Sequence, residues 1–538
     1  MGKEKYVVPL VFLCFAATLA PWFYDFPLND DWAYALAARA LAETGRLTLS
    51  DWGSATQLPH ILTGALTVKL FGFSFSALRL ANLLVAAGAL FVFVKILDQL
   101  KLGRFEKLAA GLALALNPLY LLLANSFMTD IHYFFWMLSA VYFYIKRLND
   151  PGDAAALGWA GACCAAAYLT RQLALALPLA FTLVLLLRGR RSWRELAAVW
   201  APPAAAAAGY YLWFTRVHGP TWASENYVAA ATLGHLSKPL VFLNASFYRL
   251  FASLAETGLF LLPLGIGYLF ALRRAAPAGA PRRALHPAGI CLALIAMGLF
   301  ALLNGQLPYL ENSLASSGLG VLTLSGAAMK PSGLFASQAF WTLATAGALL
   351  SSVFLLCCSG LVLRSGDGAL RFFFAACALQ LGVSLLGAKF FDRYLLSLLP
   401  WFAAAAGLAA KEIKFSRPAA AAALLACAAF SWAGMKDYLA WNAAKWELAS
   451  RQSARLDPGE IVNGFDFEAW HNYQKNMERL KAMKPLKLIG EWEWQKVNRY
   501  NAVISFTTDQ RFKVIDKAEY ATPLSAKKGV LYLSSLKP

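Results

Sequence analysis

The chain has 538 residues, of which 59% are hydrophobic and only 15% charged, with a mean hydropathy of +0.51. Soluble domains carry about 25% charged residues, so this composition excludes a soluble protein and calls for an integral membrane one. The net charge of +19 does not point to nucleic acid, because the basic residues cluster in the gaps between apolar segments, where they face anionic lipid.

Crossing a bilayer takes about 20 mainly apolar residues, and by that measure about thirteen segments qualify. They lie near 6–24, 76–97, 107–124, 131–147, 154–170, 172–188, 195–214, 246–272, 287–303, 338–363, 370–388, 393–410 and 418–435. Lys3 and Lys5 flank the first, which puts the N-terminus in the cytoplasm by the positive-inside rule. Alternate gaps are then the basic ones. They carry Lys101, Arg104 and Lys107; Lys146 and Arg147; Arg188, Arg190, Arg191 and Arg194; Arg273, Arg274, Arg282 and Arg283; Arg364 and Arg371; Lys411, Lys414 and Arg417. Further apolar segments follow the first and no small-residue cleavage site interrupts it, so it reads as a retained helix rather than a signal peptide. All eight cysteines fall inside apolar stretches, and no disulfide or Cys/His metal spacing is expected.

Three outer segments are long. In the first, about 25–75, an amphipathic stretch over 32–44 and a second half-polar helix over 57–71 read as helices lying at the interface. Those at 215–245 and 304–337 are rich in Gly, Ser, Asn and Pro and read as a mobile cover. A very tight turn at Thr170-Arg171-Gln172 joins the pair of helices over 154–188. Polar composition sets in near 435. The expected organisation is therefore a membrane domain over 1–435 and a periplasmic C-terminal domain over 436–538. The latter shows helical pattern over 438–455 and 468–484 and strand-like runs at 487–489, 502–506, 512–515 and 530–533.

The adjacent carboxylates Asp30 and Asp31 stand just past the first apolar segment, on the outer side. Paired acids at a membrane surface cost solvation energy and repel each other, so they suggest proton abstraction or cation binding. The run Asp30-Asp31-Trp32-Ala33-Tyr34 with Ala37-Ala38-Arg39-Ala40-Leu41-Ala42-Glu43-Thr44-Gly45 resembles the first-loop signature of family-39-type glycosyltransferases of the GT-C superfamily. Further elements in the same order are Leu70-Phe71-Gly72, Ser76 to Asn82, Asn117-Pro118, Met128-Thr129-Asp130, and Arg393-Tyr394-Leu395-Leu396 through Pro400. Protein O-mannosyltransferases and the lipid A aminoarabinose transferase belong to this group.

The resemblance implies an all-α polytopic GT-C fold with a small C-terminal α/β periplasmic domain, in a bacterial inner membrane. It also implies inverting transfer of a sugar from a polyprenyl-phosphate donor to a lipid, glycan or protein acceptor on the outer face. Asp30 matches the family's base, which would take the acceptor's proton. Asp31 stands where Glu is commoner. It would orient the acceptor or tune Asp30, or else simply cap the helix that follows. Asp130 matches a family acid, with N-capping as its alternative. Arg393 and Tyr394 match a motif that would contact the donor phosphate, while a salt bridge from Arg393 to Asp392 is the competing account. Arg171 and Lys389 are further outer-face cations for the leaving phosphate, Arg171 alternatively reaching lipid headgroups. Where relatives carry a phosphate-touching Lys before Pro-Pro, this chain has Gln57-Leu58-Pro59-His60, so the contact moves elsewhere or His60 substitutes. His132 reads as packed rather than ligating. A divalent cation, Mg²⁺ or Mn²⁺, on Asp30, Asp31 and Asp130 is left open. The rival readings are a transporter or flippase, or a non-catalytic binder, of a polyprenyl-linked sugar.

Overall fold

The structure is a computed structural model that describes residues 3–189, 192–228, 238–272, 287–324, 333–387, 389–525 and 527–536. The expected cytoplasmic anchors Arg190, Arg191, Arg273, Arg274, Arg282 and Arg283, and parts of the 215–245 and 304–337 segments, lie outside the described residues. Helices dominate the first four-fifths of the chain. The membrane part begins with α1 (Glu4–Ala17), then α2 (Asp31–Thr44), α3 (Leu58–Phe71), α4 (Phe75–Gln99), α5 (Arg104–Ala115) and α6 (Pro118–Ala124). It continues with α7 (Thr129–Asn149), α8 (Ala154–Thr170), α9 (Ala176–Leu187), α10 (Trp193–Trp213), α11 (Pro239–Phe260), α12 (Leu262–Leu272) and α13 (Pro287–Asn304). Four more helices, α14 (Gln338–Leu363), α15 (Gly368–Leu385), α16 (Leu399–Ala409) and α17 (Arg417–Arg451), complete it.

Among the described residues, α4, α14, α15 and α17 are each long and apolar enough to cross a membrane. Two bent pairs, α5 with α6 at 59° and α11 with α12 at 75°, bring the number to six, and several of the remaining apolar segments fold as helices of 10–17 residues. The Asn117-Pro118 dipeptide makes the first bend. Pro118 has no N–H to continue α5, and the Asn117 side chain caps α6 by accepting from Leu119 N at 2.9 Å. Asn117 Nδ2 also donates to Phe260 O at 2.6 Å, at the C-terminal end of α11. One side chain therefore ties the two helix breaks together and satisfies a carbonyl the second break leaves free.

The motif Ser76 to Asn82 at the start of α4 serves as a staple. Arg79, buried, donates to the carbonyls of Asn125, Pro21, Tyr24 and Phe26. Asn82 Nδ2 donates to Leu123, Ala124 and Ser126 carbonyls at 3.0, 3.2 and 2.6 Å. Arg79 thus draws the stretch leading to α2 against the α6–α7 turn, which Asn82 holds to α4.

The segment after α13 is held, over 305–324, by two buried acids, Glu256 and Asp392. Glu256 on α11 accepts from Tyr309 N and Leu310 N at 2.8 and 2.6 Å, and Asp392 accepts from Ser313 N and Leu314 N at 2.9 and 2.7 Å. This described half is a pinned hairpin (β1, Leu314–Ala315; β2, Gly318–Leu319) rather than the mobile cover expected from its composition.

α17 runs unbroken from the apolar part into the polar C-terminal part, across residue 435. There its C-terminal half packs on a four-stranded sheet of order β3-β4-β6-β5, while α18 (Phe465–Met483) packs against α2 and the 3-10 turn Glu493–Val497. The strands of the sheet are Ile461–Val462 (β3), Ala502–Ser505 (β4), Lys513–Tyr520 (β5) and Gly529–Ser535 (β6). The first pair is parallel and the others antiparallel. The strand expected at 487–489 is instead a 3-10 turn, Leu486–Leu488. Pro485 precedes it, and the Ile489 carbonyl is taken by the Trp222 indole N–H at 2.7 Å instead of a neighbouring strand.

Candidate active site

Asn29 adopts a left-handed conformation (φ 54°), which Asn tolerates better than most residues, and this turns the chain into α2. The turn sends the two neighbouring carboxylates to different partners. Asp31 is the first residue of α2, 1% exposed, and its oxygens accept from Leu28 N at 3.2 Å and Phe127 N at 2.8 Å. It is not the helix cap; Asp30 holds that position, without a capping bond from its side chain. Burial pushes the Asp31 carboxyl up to about 7, against the pull of the Phe127 N–H and Arg79. Asp31→Ala leaves two buried N–H groups unpaired, and the expected loss is about 1–3 kcal/mol, read as a lower melting temperature.

Asp30 keeps its side chain 14% exposed. Trp52 Nε1 donates to its Oδ1 at 2.7 Å, and Arg393 Nη1 lies 3.6 Å from its Oδ2. Burial raises its pKa above the ordinary carboxylate range, while Arg393 and Trp52 oppose the shift. Across the site, Asp130 in the first turn of α7 pairs with Arg171 Nη2 at 2.9 Å, and Arg171 Nε donates to Thr129 Oγ1 at 3.0 Å. Asp130 is thus not the N-cap of α7; Met128 occupies that position. Arg171 is the extended residue (φ −150°) between α8 and the 3-10 turn Gln172–Leu175, as the tight turn in the sequence anticipates.

Arg393 is the second residue of the 3-10 segment Asp392–Ser397. Its expected rival partner, Asp392, is turned away and committed to the 313–314 backbone. The guanidinium groups of Arg171 and Arg393 lie 5.9 and 5.8 Å from the Tyr394 ring. Arg393 Nε and Nη1 are buried without a hydrogen-bond partner. These residues line a recess of about 280 Å³ with Asp130, Tyr133 and Ser397. A second recess of about 290 Å³, lined among others by Asn29, Ser126, Ser313 and Tyr438, meets the first at Arg393.

Asp30, Asp130, Arg171, Arg393 and Tyr394 therefore come together. Lys389 instead pairs with Glu491 of the C-terminal part and donates to the Tyr227 hydroxyl. His60 is wholly buried, its ring 4.0 Å from Phe127 and 4.7 Å from His132, and both ring nitrogens lack a partner. Among the described residues no three His, Cys, Asp or Glu side chains converge on a metal position. Asp31 is bound to backbone, Asp130 to Arg171 and Asp30 to Trp52, so the three acids do not fit a shared cation. Sequence reasoning missed Trp52. Its one signal was an indole in a polar outer stretch, too weak to assign.

A family model described as dolichyl-phosphate-mannose-protein mannosyltransferase matches residues 60–217. That match covers less than a third of the chain. No curated protein matches the sequence. Three solved structures are similar to this chain. The Saccharomyces cerevisiae protein O-mannosyltransferase Pmt1-Pmt2 complex bound to the sugar donor is 14% identical, with a TM-score of 0.34, over 42% of this chain and 36% of that one. ArnT from Cupriavidus metallidurans bound to undecaprenyl phosphate is 12% identical, with a TM-score of 0.41, over 99% and 98%. The oligosaccharyltransferase AglB from Archaeoglobus fulgidus, in complex with an inhibitory peptide and a dolichol-phosphate, is 15% identical, with a TM-score of 0.46, over 94% and 69%.

Proposed function

We propose that this membrane protein transfers a sugar from a polyprenyl-phosphate donor to an acceptor at the outer, periplasmic face of a bacterial inner membrane, with inversion. The observation that carries the reading is Arg393, which lines a recess with two buried guanidinium nitrogens lacking a hydrogen-bond partner and meets the Asp30 carboxylate only at 3.6 Å. Buried unpaired donors of a permanent cation are costly unless an anion completes them, and a phosphate does so. The donor phosphate sits against Arg393 and Arg171, whose charge stabilises the leaving group as the sugar–phosphate bond breaks. Asp30 takes the proton from the attacking hydroxyl or amine on the opposite face of the sugar. Asp130 keeps Arg171 in place. Tyr394, between the two arginines, orders them. No step is assigned to a metal ion. His60 and Lys389 take no part in the phosphate contact.

The test is transfer from radiolabelled undecaprenyl-phosphate sugars to an envelope extract by the purified protein. Label should move with the wild type. Arg393→Ala should lower kcat/KM about 100-fold or more, and Arg393→Lys should recover only part, since an ammonium lacks the planar fork. If the folded wild type binds the donor but leaves it intact with every acceptor fraction, the transport or binding reading replaces this one.

A further inference from the structure

Trp52 lies on the outer stretch between α2 and α3, and its indole N–H is the one hydrogen bond shown to Asp30 Oδ1, at 2.7 Å. The ring does not hold itself there. Phe465 stacks on it at 6.2 Å and 29°, Trp492 meets it edge-on at 5.3 Å, Tyr473 at 5.9 Å, and Trp32 at 6.1 Å. Three of these four aromatics come from the C-terminal part of the chain: Phe465 and Tyr473 on α18, and Trp492 just before a 3-10 turn. The adjacent Asp51 is secured from the same side, by Lys481 of α18 at 2.5 Å and by Trp222 N at 3.1 Å.

We infer that Trp52 is a positioning residue for Asp30, and that the C-terminal domain sets the reacting carboxylate by caging the Trp52 indole. This rests on the reading of Asp30 as the base. A carboxylate rotates freely unless one oxygen is bound. With Oδ1 taken by the indole, Oδ2 is the oxygen presented toward Arg393, 3.6 Å away and beyond hydrogen-bond reach. Oδ2 is thus the one left to receive a proton. The domain then acts on the chemistry without touching it: opening the aromatic cage frees the indole, and the base loses both its orientation and a donor to its charged form. The charged and titratable groups around Asp30 are Arg393, Asp130, Tyr34, Tyr227 and Asp31, and none of them lies on α18. Aromatic cage variants therefore change no neighbouring charge.

The experiment reads Asp30 directly and without turnover. An infrared pH titration of the full-length protein follows the carboxylate band that disappears in Asp30→Asn. Trp52→Phe should move that titration upward by about one pH unit, because a hydrogen bond that favours the ionised form is lost. Phe465→Leu, which keeps the indole but opens its cage, should move it the same way by a smaller amount. The acid limb of the transfer rate should follow both shifts, with the high-pH plateau retained in Phe465→Leu. A uniform fall in rate with an unmoved titration would make Trp52 a packing residue and overturn the inference. A shift in Trp52→Phe with none in Phe465→Leu would remove the domain from it. Failure of the wild type to consume donor would instead overturn the functional reading, while the titration still decides the role of Trp52.

Discussion

Asp30→Asn lowers sugar transfer by about 10²–10⁴-fold, the usual contribution of a positioned base. The substitution keeps size and an oxygen to accept from Trp52, so the site retains its shape and loses only its proton acceptor. A second consequence concerns pH. The Asp30 pKa is raised by burial beyond what Arg393 and Trp52 recover. A base works ionised, so the wild-type rate rises with pH through the raised value. The acid limb of kcat/KM therefore lies above the ordinary Asp value of about 3.9. A profile of kcat/KM against pH, run for wild type and variant on one donor, checks both points. An Asp30→Asn protein with wild-type rates would remove Asp30 from the chemistry.

Lys445→Ala destabilises the folded protein by about 3–5 kcal/mol. Lys445 on α17 is fully buried, with Nζ 2.6 and 2.7 Å from the two Asp466 oxygens on α18 and 2.8 Å from Thr323 Oγ1 on the pinned segment after α13. Three parts of the molecule meet at one ammonium. Removing it strands the Asp466 charge away from water, and the cost is that stranded carboxylate rather than the net worth of the pair. The double variant Lys445→Met with Asp466→Leu should regain much of the loss, since no buried charge remains. Thermal melting in detergent, followed for wild type, single and double variants, checks this. A single variant that melts with the wild type would show that water reaches Asp466.

Much of the architecture was legible because its causes are local. Apolar runs with basic gaps identify a membrane protein, and Asn117-Pro118 stops a helix wherever it occurs, since one residue caps and the next lacks an N–H. The helices α2 and α3 and the tight turn at Arg171 were likewise read from periodicity and punctuation. The strand expected at 487–489 fails for the complementary reason: three residues carry little pattern, and a carbonyl claimed by Trp222 outweighs it.

For the site, residue types were visible and partnerships were not. The sequence by itself determined that two acids follow the first apolar segment and that a polar stretch follows the last. Only the tertiary structure decided which acid is which. Asp31 is occupied by Phe127 N, 96 positions away, and Asp30 by Trp52, 22 positions away, so one carboxylate becomes part of the scaffold and the other lies beside Arg393, which lines both recesses. It also turned Asp392 away from Arg393, although they are neighbours in the chain, and committed it to the 313–314 backbone. The reason is physical. Burial makes every N–H and every charge find a partner, and which partner lies nearest is a property of helices packed side by side, not of residues side by side in the chain.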